Sequence, residues 1–118
     1  MKVFSDSDYI HQLIAQGEHQ TQDFKFEISD ARKIARSLSA FSNTNGGRLL
    51  VGVKDNGRIA GVRSDEEIYM IEAAAKLYCV PEVECRMNNY VVDGRNVLLA
   101  EVTPVANKPV YAKDADGK

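Results

Sequence analysis

Apolar residues first recur at helical spacing in Tyr9, Ile10, Leu13 and Ile14, which predicts a helix from about Asp6 to Gln16. Ser5 or Ser7 caps it and Gly17 stops it. From Thr21 to Phe26 the period shortens to two, with Phe24 and Phe26 on one face and Asp23 and Lys25 on the other, so a strand is expected. Ile34, Leu38 and Phe41 then mark a second helix, with Ser29 as its cap and Asp30 complementing its positive end. At about 100° per residue, Arg32, Arg36, Ser39 and Asn43 lie opposite Ile34, giving this helix a basic and polar outer face. Asn45-Gly46-Gly47 ends it, because glycine takes the φ > 0 conformation of a helix terminus at least steric cost.

Arg48 to Val53 reads as a buried strand, Asp55-Asn56-Gly57 as a hairpin turn and Arg58 to Val62 as the returning strand. Ser64-Asp65-Glu66-Glu67 is a capping box that opens a third helix reaching about Tyr78, with Ile68, Ile71 and Ala75 inward and Pro81 beyond its end. Glu82 to Val92 and Asn96 to Thr103 form a second hairpin around Asp93-Gly94. Pro109-Val110-Tyr111 is an expected edge strand. The polar tail after it ends on a turn signal, which suits either a fragment of a longer chain or a natural terminus. The expected fold is α/β of the α+β kind: residues 1–118 as a single domain, with a mixed sheet of five to six strands and two to three helices packed on it.

Composition supports this picture. With 118 residues, 44% of them hydrophobic and 27% charged, the chain has the makeup of one ordinary globular domain. No apolar run approaches the ~18 residues needed to cross a bilayer, and Met1 to Asp6 lacks the apolar core of a secretion signal. The expected location is cytoplasmic, away from membranes. Cys79 and Cys85 form no Cys-x-x-Cys pair and read as packing residues, while His11 and His19 read as surface or cap residues. The net charge of −2 and pI near 5.7 exclude a generally cationic coat, so contact with a polyanion requires a local basic face.

Three motifs are candidates for chemistry. Asn45-Gly46-Gly47 follows a helix, whereas phosphate cradles precede one, and the Lys-Ser/Thr of a P-loop is missing, so ATP binding is not expected. Lys25, Arg32, Arg36, Arg48 and Lys54, flanked by Arg58 and Arg63, make a basic set suited to phosphates; a solvated helix face is the plainer reading of the same residues. Phe24, Phe26 and Phe41 are assigned to the core, which removes a base-stacking platform. Glu18, Asp23 and Asp55, with Lys25 on the same strand face as Asp23, are the residue types used in metal-assisted phosphodiester cleavage, although acidic residues are also common at turns.

Taken in order, Gly17-Glu18, Gln22-Asp23-Phe24-Lys25, Ala40-Phe41-Ser42-Asn43-Thr44-Asn45-Gly46-Gly47, Gly52-Val53 with Asp55 and Gly57, and Gly61-Val62 resemble the Schlafen AlbA-like domain. The likeness is close over Gly17 to Val62 and continues loosely to Lys108-Pro109-Val110-Tyr111. The resemblance implies an α/β nucleic-acid-binding module, of the kind found as the DNA-binding domain of bacterial transcriptional regulators. Lys25, Arg32, Arg36, Arg48 and Lys54 are then the candidate phosphate contacts. It implies as an alternative a Mg²⁺- or Mn²⁺-dependent endoribonuclease, with Glu18, Asp23 and Asp55 as metal ligands and these residues plus Lys25 as the catalytic set. Asp23 stands where that family usually has Glu, which shortens the reach by one methylene. The animal nucleases also build a cleft from two such domains, which a homodimer of this chain would restore. A third reading is an interaction or dimerisation module pairing through strands near Val97 or Val110.

Overall fold

The computed structural model describes residues 6–62, 65–105 and 109–113. Ser5, Arg63, Ser64 and Lys108 lie outside them, and with them the Ser5 cap and the Ser64 capping box. The elements run α1 (Asp6–Ala15), β1 (Gln22–Lys25), α2 (Ala31–Ser42), β2 (Gly47–Val51), α3 (Glu66–Leu77), β3 (Cys79–Val80), β4 (Cys85–Val92), β5 (Arg95–Val102) and β6 (Tyr111–Ala112). This is an α+β fold with three helices among the described residues.

The main sheet has the order β1-β2-β5-β4, and β3 pairs with β6 in a separate two-stranded sheet. β1 and β2 are parallel and joined through α2, while β5 runs antiparallel to both of its neighbours. Apolar residues run continuously through β2 and β5 because both faces of the sheet are covered. On one face Leu49, Val51, Leu98 and Ala100 pack with Ile34, Leu38 and Phe41 of α2 and Ile71 of α3. On the other, Leu50, Val97 and Leu99 pack with Phe24 and with Ile10 and Leu13 of α1.

The second hairpin forms as expected, turning through Asp93 (φ 53°) and Gly94 (φ 77°), the two positive φ values of a tight two-residue connection. The first one forms only at its tip. Lys54 N–H donates to Arg58 O (2.9 Å), but Arg58 to Val62 is not a strand, its one ladder contact being a bridge from Val53 to Ile59. The cause is Gly52, whose φ of 93° bends the chain, so that its single carbonyl receives both Ala60 N–H and Gly61 N–H. The partner of β2 on that side is instead β5, from much later in the chain. Val97 is therefore inside the sheet and offers no free edge, whereas β6, next to the buried Val110, pairs on one side only among the described residues.

Three local expectations also change. Asp30, extended at φ −146°, caps α2 by accepting Arg32 N–H at 2.9 Å, displacing Ser29 by one position. β1 ends at Lys25, so Phe26 leaves the core and is 37% exposed. Ser39 is buried, and Asn43 is half-buried beneath the returning C-terminal segment, where its amide exchanges hydrogen bonds with Val110 N–H (2.7 Å) and Val110 O (2.9 Å). The polar face of α2 is thus reduced to its N-terminal half.

The end of α2 follows the glycine argument. Gly46, at φ 81°, donates its N–H to Phe41 O at 2.8 Å and starts β2 next to it. A Cβ on Gly46 would lie 2.5 Å from Val102 O, and one on Gly47 would strike the Phe41 ring.

Candidate functional site

The acidic residues gather around the outer edge of β1. Glu18 turns back to accept Phe24 N–H at 3.3 Å, an edge donor that has no strand partner on that side. This puts its carboxyl against Asp23, and the hydrogen bond between the two, followed by partial burial, raises the Glu18 pKa above 4.5; the charges of Asp23 and Asp55 add to the effect while Phe24 N–H opposes it. Asp23 is also in contact with Lys25, whose Nζ lies 3.2 Å from Oδ2. Glu18 and Asp23 border a shallow cleft closed on its far side by Ser37, Ala40 and Phe41 of α2. Asp55 is exposed on the turn after β2 and acts on Glu18 through its charge.

A divalent cation needs several oxygen ligands converging at about 2–2.6 Å. Among the described residues no group of three acidic, histidine or cysteine side chains is so placed, and two of the three carboxylates share a hydrogen bond with each other.

The structure divides the basic set into three places. Lys25 and Lys54 both lie at the C-terminal end of the parallel pair, where Val53 N–H donates to Lys25 O and the Lys54 ammonium stands 5.6 Å from the centroid of Phe26. Arg32 and Arg36 are exposed on α2, with the Arg32 guanidinium 5.3 Å from the Tyr78 ring centroid. Arg48 starts β2 at the opposite end, on the sheet face that carries α1. Among the described residues Lys25 is the one Lys or Arg with a carboxylate at ion-pair distance.

Gln22 was no candidate in the sequence. It is 1% exposed, and its Nε2 donates to Leu13 O (2.5 Å) and Gly17 O (2.9 Å) while its Oε1 accepts Arg48 Nε–H at 3.1 Å. Gln16 Oε1 accepts a second Arg48 hydrogen at 3.0 Å. The signal in sequence was only an amide preceding Asp23 on the face otherwise occupied by Phe24. The histidines and cysteines are where expected: His19 Nδ1 accepts Thr21 N–H at 3.2 Å, and burial pushes the Cys79 and Cys85 thiols up to about 11.

An α+β domain with a parallel β1-α2-β2 unit, a glycine turn between α2 and β2 and a hairpin completing the sheet is the class defined by this geometry. The chain belongs to the Schlafen, AlbA_2 family, whose model matches residues 18–118. No curated protein matches it. Among solved structures it is similar to the N-terminal domain of a RecG-related protein from Nitrosomonas europaea, with 23% identity and a TM-score of 0.68, over 96% of this chain and 83% of that one. It is also similar to the DIP2311 protein of Corynebacterium diphtheriae, with 22% identity and a TM-score of 0.62; 92% of this chain is covered, but only 23% of that one. These likenesses establish the fold. Among the described residues no helix is long and apolar enough to cross a membrane.

Proposed function

We propose that the chain is a nucleic-acid-binding module, acting in the cytoplasm as the DNA-binding part of a bacterial transcriptional regulator. The observation that carries this reading is the set of exposed cations that have no carboxylate partner among the described residues, Arg32 and Arg36 on α2 and Lys54 just beyond β2. Arg32 and Arg36 stand one turn apart on one exposed stretch of α2, a spacing that lets two guanidinium groups reach neighbouring phosphates. Family membership supports the reading, as does the similarity to a protein named for its relation to an ATP-dependent DNA helicase. The test is binding of labelled DNA and RNA as a function of salt: Arg32→Ala with Arg36→Ala weakens binding and lowers the salt slope by about 2. Unchanged affinity in the double variant refutes the assignment of α2.

The rival reading is a metal-dependent ribonuclease drawing on Glu18, Asp23, Lys25 and Asp55, and its one support is the crowding of carboxyl groups at the edge of β1. RNA incubated with Mg²⁺ or Mn²⁺ remains intact on the binding reading; cleavage lost in Asp55→Ala establishes the enzyme. A homodimer would use the outer edge of β4, which pairs only with β5 among the described residues.

A further inference from the structure

α1 covers only part of its face of the sheet. The covered rows are the apolar ones of Leu50, Val97 and Leu99; the next row toward the start of β2 is polar, and in it Arg48 and Arg86 flank Glu101 as direct cross-strand neighbours. Here the bare sheet and the Asn45 turn enclose a cleft of about 410 Å³ reaching Pro104. A cleft of that size suits a single nucleotide.

The two arginines differ in how they are held. The two glutamine carbonyls take the Nε–H and one terminal hydrogen of Arg48, fixing the plane of the guanidinium. Of its five N–H groups three remain, including the end-on pair that matches two phosphate oxygens. Burial of Gln22 makes this orientation a product of the fold, so little rotamer freedom remains to be lost on binding. Arg86 is exposed on β4, and neither guanidinium lies within ion-pair distance of Glu101 or any other described carboxylate. Glu101, half-buried between them, is an acceptor for a base amino group or a sugar hydroxyl.

We infer that this cleft holds a backbone phosphate of a single-stranded nucleic acid, with Arg48 as the fixed ligand and Arg86 as the mobile one. The site is on the opposite sheet face from α2, so it is separate from Arg32 and Arg36, although it rests on the nucleic-acid reading above. Fluorescence anisotropy of the full chain with a short labelled single strand, and with the same sequence as a duplex, tests it. Arg86→Ala removes an exposed side chain that has no hydrogen-bond or ion-pair partner among the described residues and weakens single-strand binding about tenfold, while duplex binding stays unchanged. Arg48→Lys keeps the charge but not the fork and weakens single-strand binding likewise. Equal single-strand affinity in wild type and Arg86→Ala overturns the inference alone, as does an equal loss for strand and duplex. A wild-type chain that binds neither nucleic acid overturns the inference and the proposed function together.

Discussion

Gln22→Leu is a sharp test of how the α1 face is built. A buried glutamine in an apolar neighbourhood is commonly replaced by leucine at little cost, since the volumes are close. Here the amide donates to two carbonyls and receives a hydrogen from a charged guanidinium. The two neutral bonds contribute about 1 kcal/mol each and the charge-assisted one about 1.5 kcal/mol. Leucine recovers about 1 kcal/mol through its greater apolar surface. The net loss is about 2.5 kcal/mol, a fall in melting temperature of roughly 10 °C for a domain of this size. Leu13 O retains Gln16 N–H at 3.1 Å, whereas Gly17 O loses its amide donor. Urea unfolding followed by circular dichroism measures the difference; an unchanged or higher midpoint at equal slope shows that the hydrogen bonds do not stabilise the fold and that this reasoning is wrong.

Other outcomes follow from the same geometry. Gly46→Ala costs about 3 kcal/mol or more, because a left-handed residue and a contact with Val102 O combine; Gly17→Ala, left-handed at φ 74° with nothing within 4 Å, costs about 1 kcal/mol. Equal melting temperatures for the two variants would contradict this. Asn43→Ala removes both hydrogen bonds to Val110, costs about 2 kcal/mol and raises hydrogen exchange at Lys113, whose N–H donates to Tyr78 O; unchanged exchange there counts against the clamp. The Glu18 carboxyl titrates above 4.5 by NMR and moves back toward that value in Asp23→Asn. Since the folded pKa is the higher one, the stabilising contribution of this group is complete below pH 4.5 and is lost as pH rises through the folded value. A Glu18 pKa that does not respond to Asp23→Asn rules out the shared hydrogen bond.

The sequence was most informative where the determinants are local. Ile34, Leu38 and Phe41 announce α2, Gly46 its end, and Asp93-Gly94 the hairpin of β4 and β5, and each acts within a few residues. Arg58 to Val62 misled for the opposite reason. Its apolar residues after an Asn-Gly turn are those of a returning strand, and only the bend at Gly52 and the competing ladder of β5, which begins at Arg95, exclude it. Phe26 was misplaced because strict alternation says nothing about where a strand stops. At the candidate sites, the pairing of Glu18 with Asp23 was legible as a motif, but the separation of the five basic residues was not. Arg48 goes to the face opposite α2 through the parallel register with β1, and its anchoring by Gln22 and Gln16 depends on the docking of α1. Such contacts join elements that no periodicity links.

On the function proposed above, this domain engages nucleic acid through exposed cations that have no carboxylate partner among the described residues. The most direct test is equilibrium binding of the wild-type chain to labelled DNA and RNA across a salt series. The account predicts measurable affinity at low salt and a linear fall of log K with log salt. Absence of binding at low salt, or an affinity indifferent to salt, would contradict it.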